Sequence, residues 1–124
     1  MITIVVLTTS ITLFAQSQNC KQLYIQEFEE KIKTTQNAVL IDLRTPKEFK
    51  SGHIKGAKNL DFFAKGFYDQ LLKYPKDTPL FIYCESGGRS GQVFERLKSE
   101  GYQTVYEMHE GMSGWRDSKR PVEK

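Results

Sequence analysis

Apolar residues fall along this chain in two spacings, and the switching between them sets the expected architecture. Continuous apolar runs over residues 38–41 and 80–83 suit strands of a parallel sheet buried on both faces. Residues 57–60 and Thr104-Val105-Tyr106 predict two further short strands. Elsewhere the spacing turns helical: Phe28 and Ile32 lie four apart within 26–35, Phe67, Leu71 and Leu72 share one face, and Val93, Phe94 and Leu97 share another. A last helical turn is expected over 112–117.

Turn and cap residues punctuate these segments. Asn37 ends the first helix. Thr45-Pro46 with Glu48 has the spacing of a capping box with proline at the first helical position, and Ser51-Gly52 stops that short helix. Residues 75–79 make a turn into the 80–83 strand, and Gly101 ends the helix after it. Strands alternating with helices predict a three-layer α/β domain, with a central, mainly parallel sheet of about five strands flanked by helices. The 124 residues fit one such domain, placed at 22–124, with no internal repeat and no low-complexity linker.

The segment before that domain has a different composition. Residues 1–15 carry no charged side chain, are rich in Ile, Val, Leu and Phe, and lead into Ala15-Gln16-Ser17. An apolar stretch of this kind before small residues describes a secretory signal over 1–17, cut after Ala15 or Ser17, and it is too short for a membrane span. Its β-branched content also suits an edge strand. Export implies a periplasmic or secreted location, with no stable membrane span after processing.

Charge narrows the partners. The 18 basic and 15 acidic residues give a formal net charge of +3, and they are mixed along the chain with no basic block. Nucleic acid is therefore not expected as a partner. The two cysteines, Cys20 and Cys84, are too few for a disulfide framework and lack the spacing of a zinc site, so no metal is expected.

Candidate chemistry concentrates at Cys84-Glu85-Ser86-Gly87-Gly88-Arg89-Ser90. The cysteine stands where a strand turns into a helix, the position at which open α/β sheets bind ligands and helix N-termini direct amides outward. Gly87 and Gly88 can adopt positive φ and turn successive N–H groups into a cradle for negative charge, and Arg89 adds a permanent cation. A helix end and a cation both favour a reactive thiolate.

This stretch resembles the C-x4-R active-site loop of rhodanese-type sulfurtransferases. Ile41 to Phe49 followed by 52–60, and Gly111-Met112-Ser113-Gly114-Trp115 with Pro121-Val122, are similar to that family's flanking signatures. The resemblance runs from about residue 24 to 123 and implies a rhodanese-like fold. It implies Cys84 as the nucleophile that carries a persulfide, with Arg89 catalytic beside it and Glu85, Ser86, Gly87, Gly88 and Ser90 forming the substrate-binding loop. Asp42 and Arg44 are expected as a structural pair bracing that loop, His53 as a packed loop histidine, and Trp115 as a core anchor. His109 and Glu110 are expected as solvated loop residues.

The activity so implied is transfer of a sulfane sulfur from thiosulfate or a persulfide, through Cys84, to cyanide or a thiol, without a cofactor. A reducing partner protein is expected if the chain is exported. Two alternatives remain open: a carrier module serving one protein partner, and a phosphatase or arsenate-reductase type of activity. The latter is associated with a loop one residue longer. Glu85, directly after the nucleophile, is expected to offset Arg89 and disfavour a doubly charged donor such as thiosulfate.

Overall fold

The computed structural model describes residues 1–8 and 18–124. The expected signal segment ends within 9–17, so its cleavage sites lie outside the described residues. The elements run β1 (Asn19–Leu23), α1 (Ile25–Thr34), β2 (Val39–Asp42), α2 (Pro46–Lys50), β3 (Lys58–Asn59), α3 (Phe67–Leu71), β4 (Leu80–Tyr83), α4 (Gly88–Ser99), β5 (Thr104–Met108) and α5 (Gly111–Asp117). The strands form one five-stranded sheet in the order β1-β5-β4-β2-β3, and every pairing is parallel. The expected α/β architecture is therefore present. No helix among the described residues is long and apolar enough to cross a membrane.

Side chains alternate across the sheet and build two cores. On one face Ile41, Leu80, Ile82, Cys84 and Val105 pack with Phe67 and Leu71 of α3 and Val93, Phe94 and Leu97 of α4. On the other, Leu23, Leu40, Phe81, Tyr83, Tyr106 and Met108 pack with Phe28 of α1 and with Met112 and Trp115 of α5. β4 lies at the centre and is buried on both faces, as its unbroken apolar run requires. Its carboxyl end delivers Cys84 to the rim of the sheet.

Two elements differ from the sequence expectation. The sheet begins at Asn19, ahead of residue 22, because β1 pairs along its whole length with β5. Asn-Cys-Lys-Gln-Leu has a largely exposed pattern with one buried residue, so apolar periodicity does not reveal it as a strand. β5 continues through Glu107 to Met108, two residues past Tyr106, because both residues pair with β1, opposite Gln22 and Leu23, and the buried Glu107 side chain finds polar partners inside the fold. His53 behaves as a packed residue: its ring stacks on Phe49 at 3.7 Å, and its backbone pairs with Glu123. Trp115 is buried, and its Nε1 donates to the Pro121 carbonyl at 2.9 Å.

Candidate active site

Cys84 leaves β4 and its chain turns at once into α4. Gly87 caps the helix with φ at 95°, the left-handed region, and a Cβ there would stand 2.5 Å from the His109 carbonyl oxygen. Only a residue without a side chain fits this turn. Gly88 does not share the positive φ; it opens the helix. The turn folds two amides back onto sulfur, with Gly87 N–H donating to Cys84 Sγ at 3.2 Å and Ser90 N–H at 3.4 Å. Ser90 Oγ lies 3.3 Å from the same sulfur.

Cys84 is 1% exposed, so its sulfur sees these donors with little competition from water. An anion on Sγ is thus held by fixed dipoles at a helix start. Ser86 and Gly88 lie at the exposed mouth of the loop. From the other side α5 braces the loop: Met112 N–H donates to the Cys84 carbonyl at 2.8 Å and Ser113 N–H to the Glu85 carbonyl at 2.9 Å. Gly111, with φ at 66°, brings that helix so close to Glu85 that a Cβ would collide with its carbonyl.

Arg89, expected as a permanent cation closing the cradle, is itself paired. Its guanidinium forms a bidentate pair with Glu48 of α2, at 2.9 Å and 3.0 Å, and lies over the exposed Phe63 ring. Arg89 in turn holds the Glu48 carboxyl at about 2, well below the usual range. The Thr45 capping box that opens α2 also holds Glu48, with Thr45 N–H donating to Oε1, the oxygen that Arg89 Nη1 meets. The arginine therefore ties the loop to α2, and its charge is largely offset.

Glu85 is likewise paired. Its carboxylate meets Arg44 Nη1 at 3.4 Å and forms a close pair with Arg116 of α5. Two guanidiniums compensate the charge that was expected to oppose the cradle, which removes the basis for a donor preference set by Glu85. Asp42 and Arg44, expected as a pair bracing the loop, form a buried ion pair: Arg44 Nη2 reaches Asp42 Oδ2 at 2.8 Å and the Gly52 carbonyl at 2.7 Å. Breaking such a pair costs far more than breaking a surface one.

Two residues expected as solvated have partners. Glu110 accepts from the Ile25 amide at 2.9 Å and so supplies the cap that α1 lacks locally. His109 stays exposed, but its Nδ1 lies 3.2 Å from Glu107, a fully buried acid. Glu48, Glu107 and Arg116 are the site residues that sequence reasoning missed. Glu48 was visible only as a helix cap, and Glu107 as a lone acid beside an apolar run. Among the described residues no group of three or more His, Cys, Asp or Glu is placed to hold a metal ion. A cleft beside β3, lined by Ile41, Leu60 and Tyr74 among others, includes none of the loop residues.

The parallel α/β sheet thus presents a buried cysteine in an amide cradle, with six positions from Cys84 through Arg89. Residues 24–118 match the family model described as a rhodanese-like domain. The chain belongs to that family. It is 30% identical over 97 residues to a sulfurtransferase of Allochromatium vinosum, covering 78% of this chain and 89% of the relative. It is 33% identical over 79 residues to the thiosulfate sulfurtransferase GlpE of Ectopseudomonas mendocina, covering 64% and 71%. Among solved structures it superposes on a rhodanese-like domain protein from Staphylococcus aureus with a TM-score of 0.68 at 26% identity, covering 84% of this chain and 99% of that one.

Proposed function

We propose that this protein is a sulfurtransferase that moves a sulfane sulfur through a persulfide on Cys84. The observation that carries this reading is the cradle itself, in which the amides of Gly87 and Ser90 converge on a buried sulfur. The Cys84 thiolate attacks the outer sulfur of thiosulfate or a persulfide. The donor's S–S bond breaks, and sulfite or a thiolate leaves with the bonding pair. A thiol or cyanide then attacks the outer sulfur of the Cys84 persulfide, and Cys84 departs as thiolate. The cradle serves both steps, because negative charge stays at or next to the same sulfur. The names of the sulfurtransferase relatives support the same chemistry.

Intact-mass analysis after exposure to thiosulfate and to a low-molecular-weight persulfide tests it. The expected result is a gain of one sulfur on Cys84, discharged by cyanide or a thiol. A chain that takes up no sulfur from either donor overturns the reading. The apolar N-terminal segment supports export to the cell envelope, where a reducing partner would keep Cys84 competent. N-terminal sequencing of the native protein checks this, and an intact Met1 refutes it.

A further inference from the structure

Glu107 is a buried acid for which the sulfur-transfer steps above have no use. It is 0% exposed, and the β4–β5 register sets it opposite Ile82, on the sheet face that Cys84 shares two residues further on. Its Oε2 accepts from Ser90 Oγ at 2.5 Å, while Oε1 accepts from Gln22 Nε2 at 3.1 Å and faces His109 Nδ1 at 3.2 Å. Ser90 Oγ is the same atom that lies 3.3 Å from Cys84 Sγ. One hydroxyl therefore bridges a buried carboxyl and a buried thiol.

A serine hydroxyl has a single hydrogen to give. The shorter contact is that of an O–H donated to a carboxylate, which leaves a lone pair of Ser90 facing the Cys84 S–H. Were Cys84 to ionise beside an ionised Glu107, two anions would compete for that one hydrogen in a site from which water is excluded. Passing the thiol proton to the carboxylate avoids this, since the pair then carries one negative charge before and after.

We propose that Glu107 accepts the Cys84 proton through Ser90 and so sets which way the Ser90 hydroxyl points. In this step the S–H bond breaks and its proton goes to Ser90 Oγ. The Ser90 O–H proton passes to Glu107 Oε2, and the electron pair stays on Sγ. Ser90 then donates to the thiolate. Glu107 acts through Ser90, so it is a positioning residue and does not touch the sulfur donor. The other charged groups around Cys84 and Glu107 are Asp42 and Arg44 at the end of β2, Glu48 on α2, Glu85 and Arg89 in the loop, Arg116 on α5 and His109 after β5. All but His109 are joined in ion pairs that do not involve Glu107.

The proposal rests on Cys84 being the reacting thiol, so the test follows that thiol directly and not sulfur transfer. Alkylation by iodoacetamide, a neutral reagent, is followed on the Cys84 peptide of the full chain by mass spectrometry across pH. Cys20 is counted on its own peptide, and burial pushes its thiol up, which slows it. Wild type should hold a pH-independent floor of Cys84 reactivity from about pH 5 to 7, because the Cys84–Glu107 pair holds one proton in total across that range. Glu107→Gln should lose the floor, with rates falling about tenfold per pH unit; Ser90→Ala should lower it, because the thiolate loses the hydroxyl that donates to it, and Glu107→Asp should keep part of it. A floor that survives in Glu107→Gln, an unchanged floor in Ser90→Ala, or a wild-type rate that already falls tenfold per unit overturns the proposal. If Glu107→Gln fails to fold, the wild-type profile and the height of the Ser90→Ala floor decide. Failure of wild type to accept sulfur while the floor is present overturns the functional reading alone.

Discussion

Arg89 and Glu48 meet as a two-point pair, Nη1 to Oε1 at 2.9 Å and Nη2 to Oε2 at 3.0 Å, and this contact joins the cysteine loop to a helix 41 residues earlier in the chain. The flat guanidinium fork fits the carboxylate at both oxygens, which fixes orientation as well as distance. Glu48→Gln keeps a side-chain oxygen for the capping box but loses the charge. Sulfur transfer should fall by roughly tenfold as Arg89 is freed, while unfolding in urea should show a loss of under about 1 kcal/mol, the scale of a partly exposed pair. Unchanged kcat/KM would mean that the loop holds Arg89 without help.

The same pair gives a pH dependence with a definite sign. Arg89 lowers the Glu48 carboxyl from its ordinary 4.5 to about 2 in the folded chain. A depressed folded value means the stabilisation is complete above the ordinary value and is lost as pH falls through the folded one. Wild type should therefore exceed Glu48→Gln in unfolding free energy at neutral pH, with the difference shrinking between 4.5 and about 2. A difference that stays constant across that window would show that the pair contributes nothing to stability.

Cys84→Ser should abolish sulfur uptake and leave the fold intact, since a serine hydroxyl fills nearly the same space but forms no persulfide. Circular dichroism and mass analysis check the two halves. Cys20→Ser should leave transfer at the wild-type level. Uptake that persists in Cys84→Ser would move the chemistry to Cys20, whose thiol contacts the Tyr102 carbonyl on the α4 face of the sheet.

Glu85→Lys places a third cation where a carboxylate joins Arg44 and Arg116. Thermal unfolding should reveal a loss of about 1–2 kcal/mol from like-charge contact near the buried Asp42–Arg44 pair. Transfer from thiosulfate should not improve. A tenfold rise in kcat/KM for thiosulfate would show instead that the Glu85 charge reaches the donor.

Gly87→Ala introduces a methyl group at positive φ and against the His109 carbonyl. The loop must open to admit it, moving the amide that donates to Sγ. Sulfur transfer should drop by more than tenfold, with a stability loss of about 1–3 kcal/mol. Wild-type activity in this variant would mean that the cradle amides are dispensable.

What was legible in the sequence follows from how local each feature is. β2, β4, α2 and the turn at Gly87 are written in short apolar runs, a capping box and a glycine, and all stand where the pattern places them. β1 was not, because Lys21 and Gln22 carry no strand signature and the strand exists only by pairing with β5. The loop was legible as a cysteine cradle, but the partners of its charges were not. Arg89 could be seen as a cation, whereas its closure on Glu48, and that of Glu85 on Arg44 and Arg116, depend on side chains brought together from distant segments. Spacing along a chain does not contain that information.

The pairing of β1 with β5 also fixes an order of events. Gln22 and Glu107, which face each other across these two strands, are 85 residues apart, so β1 must wait for β5 to be synthesised before it has a partner. Closing so long a loop is entropically slow compared with forming α4 or joining it to β4. Until it happens, the β5 edge stays open and Glu107 lacks Gln22. The site is therefore complete only once β1 has paired with β5.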